Sequence, residues 1–175
     1  IPFQPKNTAV LVKQPIVAPF CDASAAGSED EAGLFSGQET AVLEEKAAAL
    51  NSTYGIHAVI LTLDSLGGTR AQDYADDYYD STGYGDDGVL FLLAMEEREW
   101  YISTCGEAIY IFTDFGLEQM GQAMLADLSY GEYFDAFESW MDLIPGYVEA
   151  FSQGQPIDGV VYPDEYEPIG GDEIV

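Results

Sequence analysis

The sequence contains little of the chemistry that most zinc proteins and hydrolases use. It has one histidine, two cysteines, and five lysine and arginine residues in 175. Two cysteines and one histidine cannot by themselves complete a four-ligand structural zinc site. No serine motif accompanies His57 to indicate a Ser-His-Asp triad. Because His57 stands inside an apolar run, we interpret it as a packed structural imidazole.

Positively charged side chains are far outnumbered by acidic ones. Five lysine and arginine residues face 32 aspartate and glutamate residues, for a formal net charge of -27. Such a field repels phosphate backbones and anionic lipid headgroups, which argues against nucleic acid and favours divalent cations or basic proteins as partners. No run of 18 apolar residues is present to span a membrane. Hydrophobic residues still make up 47% of the chain, enough for a folded core.

The composition divides the chain into three parts. Residues 1–28 contain four prolines and are expected to form an extended N-terminal arm. Residues 29–153 carry the periodic patterns of a folded domain, and residues 154–175 are an acidic, Pro- and Gly-rich tail or linker. The start at Ile1 is compatible with a removed signal peptide. If the protein is exported, Cys21 and Cys105 could pair as one disulfide; otherwise they are two thiols.

Helix signals alternate with apolar runs. Ser36 and Glu39 form a capping box that opens a helix ending before Gly55. Three more helices are expected, with starts at Thr69, Thr113 and Ser129, the first and last at capping-box sequences. In the last helix, the periodicity predicts that Phe137 and Met141 are buried and that Glu138 and Asp142 are exposed.

Three apolar runs, residues 56–63, 89–95 and 99–104, are expected to be strands. A strand, a helix and a strand in one sheet imply a parallel pair, whereas the last two runs are close enough to form an antiparallel hairpin. The expected fold is therefore α/β, a three-layer α/β/α sandwich with a small mixed sheet covered by helices on both faces.

The hairpin brings acidic residues together. Gly83-Tyr84-Gly85-Asp86-Asp87-Gly88 precedes its first strand, and a loop at residues 96–97 would place Asp87 opposite Gly106 and Asp86 near Glu107. A short link can return Asp114 to the same end. Adjacent carboxylates at a Gly-rich turn indicate either a solvated turn or a cation site. Their hard oxygen atoms suit Ca²⁺.

The aspartates between residues 73 and 80 do not match an EF-hand loop and are expected to form the solvated face of a helix.

Several of these segments, taken in order, resemble the TPM domain family, named for a thylakoid lumen protein, a photosystem II repair factor and a receptor modulator. The matching segments are residues 30–36, 56–65, 74–75, 85–92 and 102–106, followed by Asp114. The family pattern favours Asn where this chain has Asp87.

The resemblance implies an α/β/α sandwich, export from the cytoplasm and, in the full-length protein, a membrane anchor after residue 175. Some family members bind Ca²⁺ in an acidic cleft, and acid phosphatase activity has been attributed to a plant member. By position, the resemblance implies Asp30, Asp86, Asp87 and Asp114 as cleft residues. With Glu107 from the hairpin geometry, these residues form the expected metal site.

The sequence is compatible with three functional hypotheses. The leading hypothesis is an extracytoplasmic Ca²⁺-binding interaction module that acts on envelope or membrane-protein partners through the acidic cleft. The alternative is a metal-assisted acid phosphatase that uses the same cleft. Against it, no arginine or lysine is expected near the cleft to neutralise a phosphate. The third hypothesis is a structural scaffold whose acidic groups are only screened by water.

Overall fold

The structure, a computed structural model, describes residues 27–155 and residue 157. Most of the expected arm and most of the tail lie outside these residues, although Gly27 and Ser28 belong to β1 and not to an arm. The predicted pairing of Cys21 with Cys105 also lies outside them, because Cys21 is not among the described residues. The elements are β1 (Gly27–Asp30), α1 (Gly37–Tyr54), β2 (His57–Leu63), α2 (Ala71–Thr82), β3 (Gly88–Ala94), β4 (Glu99–Cys105), α3 (Ala108–Ile111), α4 (Asp114–Tyr130) and α5 (Tyr133–Ser152).

A mixed sheet forms the middle layer, with four strands in the order β1-β2-β3-β4. The first three strands are parallel, and β4 pairs antiparallel with β3. Successive side chains of β2, β3 and β4 point to opposite faces, and their apolar members enter two separate buried clusters. One cluster is closed by α2, and the other is closed by the remaining helices, so the expected three-layer sandwich is confirmed.

The first helix has the ends that its sequence predicts. The Ser36 side chain accepts a hydrogen bond from the Glu39 N–H, and the Glu39 carboxylate accepts one from the Ser36 N–H at 2.7 Å. Gly55 ends the helix in the left-handed conformation, at φ +71°. The predicted start and end of α1 are therefore confirmed.

The predictions that capping boxes at Thr69 and Ser129 open the other two helices were wrong. Arg70, not Thr69, is the N-cap of α2; its guanidinium binds the Asp73 carboxylate through two hydrogen bonds, and no side chain caps the helix. Ser129 lies inside the last turn of α4, where its hydroxyl donates to the Leu125 carbonyl. A serine that can bond back to the preceding turn does not have to start a helix.

The edge strand β1 was not predicted, because Gly27-Ser28-Glu29-Asp30 has no apolar pattern. Gly27 is buried beneath the ring of Tyr84, whose Cε1 would lie 3.1 Å from a Cβ at that position. The absence of a side chain at Gly27 lets the ring close over this edge of the sheet.

The aromatic residues of α5 form the centre of the larger cluster. Phe137 is completely buried and makes edge-on contacts with Phe35 and Phe91, with ring centroids at 5.7 and 5.2 Å. Met141 is also buried, which confirms the predicted inner face. On the outer face Asp142 is exposed, but Glu138 is only partly so.

The expected solvated face of α2 needs one correction. The Asp76 carboxylate faces β4 and accepts a 2.6 Å hydrogen bond from the Ser103 hydroxyl, which is only 5% exposed. Burial raises the pKa of Asp76, and the charges of Asp80, Asp73 and Asp77 raise it further, against the effect of the Ser103 hydrogen bond.

Candidate functional site

The open end of the β3–β4 hairpin brings acidic residues from two segments of the chain together. Gly88 pairs with Cys105. The same register, continued outward, sets Asp87 opposite Gly106 and Asp86 opposite Glu107. The Glu107 N–H donates a 2.6 Å hydrogen bond to Asp87 Oδ1. The juxtaposition expected from the loop position is therefore present.

Gly106 allows this close approach. Its φ is +64°, and a Cβ there would meet the Asp86 carbonyl oxygen and Asp87 Oδ1 at distances far below van der Waals contact. Two hard oxygen atoms thus converge on the space that a side chain would fill. Asp86 and Glu107 are exposed, and Asp87 is partly exposed, so the group faces solvent.

His57 lies at the same end of the sheet, because parallel pairing aligns it with Gly88. Its backbone N–H donates a hydrogen bond to the Asp87 carbonyl at 2.9 Å. Its imidazole ring covers Gly85, where a Cβ would lie 2.4 Å from the ring. Burial lowers the pKa of His57 more than the charges of Asp87 and Asp86 raise it, so the imidazole is neutral at pH 7. The ring is packed, as predicted. Its position against the candidate site was not predicted.

Asp30 does not join this group. It pairs with Thr62, which pairs with Leu93, whereas His57 pairs with Gly88. The five residue steps from Gly88 to Leu93 put Asp30 roughly 17 Å along the strands from the hairpin opening. The placement implied by the resemblance was therefore wrong for this residue.

The Asp30 carboxylate has a structural role instead. It accepts hydrogen bonds from the N–H groups of Leu34 and Phe35, each at 2.9 Å, and from the Thr62 hydroxyl at 2.5 Å. These bonds close the turn between β1 and α1.

Asp114 is the first residue of α4 and is exposed. The short helix α3, which the sequence did not indicate, stands between the hairpin and α4. The residues that the structure visibly brings together are therefore Asp86, Asp87 and Glu107.

The oxygen atoms at the hairpin end are of the kind that Ca²⁺ binds, but they are too few to surround the ion. Carboxylate and carbonyl oxygens are the ligands that Ca²⁺ prefers, but it takes six to eight of them. Within residues 27–155, no three or more His, Cys, Asp and Glu side chains are grouped so that they could hold a metal ion. The hairpin end is thus not a closed metal site by itself.

Basic side chains stand elsewhere in the described part of the chain. Lys46 on α1 binds Asp142 and Glu138 on α5, beside a cavity of about 220 Å³ between these two helices. Arg70 binds Asp73. Arg98 lies in the loop at the opposite end of the hairpin.

The sequence profile of the TPM domain matches residues 28–147, which include the hairpin end and all of the sheet except Gly27. The chain belongs to the TPM domain family. Its relatives include the UPF0603 protein YdjH of Bacillus subtilis (strain 168), which is 32% identical over 114 residues. That match covers 65% of this chain and 44% of YdjH, so the chain spans less than half of its relative.

Solved structures confirm the fold. The N-terminal domain of a protein from P. gingivalis has a TM-score of 0.62 at 19% identity, covering 77% of this chain and 87% of that domain. The N-terminal domain of cg2496 from Corynebacterium glutamicum has a TM-score of 0.54 at 15% identity, covering 93% and 98%. BA42 from Bizionia argentinensis also scores 0.54, at 14% identity, covering 70% and 84%.

Proposed function

We propose that this TPM domain is an extracytoplasmic interaction module that binds envelope or membrane-protein partners through the acidic end of its hairpin. The observation that carries the proposal is the convergence of Asp86, Asp87 and Glu107 at the surface, around Gly106. No described basic residue is seen to neutralise them: Lys46 and Arg70 are held by other carboxylates.

A surface of this kind suits a basic partner or a cation, because opposite charge lowers the repulsion between its carboxylates. Ca²⁺ is the cation of choice for such oxygen atoms. Since the protein contributes few ligands here, water or the partner would have to complete the coordination shell. The affinity expected is that of weak extracellular sites, with Kd on the order of 10⁻⁴ to 10⁻³ M.

The test is a calorimetric titration of Ca²⁺ into protein freed of metal by a chelator. We expect saturable binding, and a melting temperature that rises with millimolar Ca²⁺ and falls again on chelation. Mg²⁺ should have a smaller effect, because it releases its water reluctantly. Asp86→Asn/Asp87→Asn should abolish the response.

The matched control is Glu44→Gln/Glu45→Gln, which removes the same charge from exposed positions of α1. If both double variants lose the response equally, only the net charge of the protein attracts Ca²⁺. An absence of saturable binding to the wild type would leave the carboxylates as a solvated turn.

The alternative, a metal-assisted acid phosphatase, uses the same carboxylates. The positions of Lys46, Arg70 and Arg98 give it no group to neutralise a phosphate at the hairpin end. Hydrolysis of p-nitrophenyl phosphate that depends on added metal and is lost in Asp86→Asn would replace the binding proposal with the enzymatic one.

Export and membrane anchoring are part of this proposal. No helix in the described part of the chain is long and apolar enough to cross a membrane. The proposed anchor would follow residue 175. Fractionation of cells that express the full-length protein, with and without the sequence beyond this position, tests both points.

A further inference from the structure

A second surface of the domain combines aromatic rings with carboxylates. Tyr74 and Tyr78 occupy successive turns of α2, and their rings are stacked at 6.4 Å with an angle of 14° between them. The ring of Tyr84 continues the row, at 6.3 Å and 32° from that of Tyr78. Tyr84 is buried, whereas the other two are partly exposed.

Two carboxylates stand beside this row. Glu29 lies in β1, and the Glu31 N–H continues the strand pairing by donating to the Thr62 carbonyl at 3.1 Å. Glu31 is the first residue after β1, so this hydrogen bond holds it beside the same end of the strand. Both glutamates are exposed.

One direct contact joins a carboxylate to this row of rings. The Tyr84 hydroxyl lies 3.4 Å from Glu29 Oε1. Burial raises the pKa of Tyr78, and the charges of Glu29 and Glu31 raise it further, against the effect of the Tyr84 hydroxyl. The described ion pairs of Lys46 and Arg70 involve other carboxylates, so the structure shows no basic partner for Glu29 or Glu31 within residues 27–155.

We propose that the surface formed by Tyr74, Tyr78, Glu29 and Glu31 binds the arginine side chain of a basic segment in a partner protein. A guanidinium is planar and weakly hydrated, so it can stack on a partly exposed tyrosine ring while donating hydrogen bonds to a carboxylate. A lysine ammonium gains the charge attraction without the stacking. The net charge of -27 favours basic partners in general, and this surface gives that attraction a specific position.

This surface shares no side chain with the hairpin end, so it can be tested independently of the Ca²⁺ proposal. The probes are three short glycine peptides that carry, respectively, one arginine, one lysine or one citrulline at the same position. Citrulline keeps the shape of arginine and removes its charge. Calorimetric titrations at a fixed, moderate salt concentration should give the affinity order arginine, lysine, citrulline.

The variants separate the rings from the charge. Tyr74→Leu should weaken arginine-peptide binding about fivefold, because it removes a π face, whereas Tyr74→Phe should keep the affinity within about twofold. Glu31→Gln should also weaken it. The controls are Tyr110→Leu, at a tyrosine that is 68% exposed on α3, and Glu44→Gln on α1.

Three outcomes overturn the proposal. Equal affinity for the arginine and citrulline peptides would show that charge is not recognised. If Tyr110→Leu and Tyr74→Leu lose the same affinity for the arginine peptide, the peptide does not recognise the ring of Tyr74 in particular. An absence of saturable binding to the wild type would remove the site altogether. Thermal melts of each variant show whether a loss of peptide affinity comes from unfolding. If Tyr74→Leu does unfold the protein, the affinities of Tyr74→Phe and Glu31→Gln decide whether this surface binds the arginine.

Discussion

Single residues at the hairpin opening are constrained by both conformation and space. Gly106 combines a positive φ of +64° with contacts that leave no room for a Cβ. Gly131 shares the first property, at φ +81°, but a Cβ there would meet nothing within 4 Å. Substitutions at the two glycines can therefore distinguish the cost of backbone strain from the cost of crowding.

Gly131→Ala should cost only the strain of a left-handed alanine, about 1–2 kcal/mol in the free energy of unfolding. Gly106→Ala should cost clearly more, because the Asp86 carbonyl and the Asp87 carboxylate must also move. Urea denaturation of both variants checks the order. Equal losses would show that the hairpin opening is looser than the contacts indicate.

Asp76 should make the stability depend on pH. Its pKa is raised in the folded protein, so the ionised form is disfavoured there more than in the unfolded chain. Its contribution to stability is therefore lowest above the folded pKa and is regained as the pH falls through that value toward the unfolded one.

Asp76→Asn should consequently raise the free energy of unfolding at pH 7, with a gain that shrinks as the pH is lowered toward 4. Chemical denaturation across this range measures it. Asp77→Asn is the control, because it removes the same charge from an exposed neighbouring position. A gain that is identical in both variants would assign the effect to net charge instead of burial.

At the scale of the elements, α5 contributes two of the largest fully buried side chains of the sandwich, Trp140 and Phe137. Phe137→Ala should cost about 3–5 kcal/mol, since it empties space between Phe35 and Phe91. Leu143→Ala on the same helix should cost clearly less than Phe137→Ala, because Leu143 is already 36% exposed. A melting temperature that is unchanged in the Phe137 variant would contradict the described packing.

The sequence predicted elements where local signals were strong and consistent. The capping box at Ser36, Gly55 and the apolar runs of β2, β3 and β4 led to the fold and the hairpin register, and with them to the meeting of Asp87 and Glu107. These features depend on neighbours in sequence or on a single short loop.

The remaining elements depend on contacts that no local pattern records. The strand β1 exists because it pairs with β2 and because Tyr84 covers Gly27. Asp30 was placed with the hairpin by resemblance, but the parallel register carries it to the other end of the sheet. The contact between His57 and Gly85 was missed for the same reason, since it depends on which strand lies next to which.

At the scale of the whole molecule, the charge of -27 means that any cation will accumulate around the protein. The proposed site requires more than this: the hairpin end must concentrate that attraction at Asp86, Asp87 and Glu107. Non-specific accumulation weakens with salt and is spread over the surface, whereas a site responds at a few residues.

The most direct measurement is an NMR titration of isotope-labelled, metal-free protein with Ca²⁺ at moderate salt, followed residue by residue. The amides of Gly85, Gly88 and Gly106 surround the proposed site and serve as its probes. The account predicts saturable shifts in residues 85–88 and 104–107 that disappear in Asp86→Asn/Asp87→Asn. Shifts of similar size along the acidic faces of α1 and α2, or no saturable shift at the hairpin end, would contradict it.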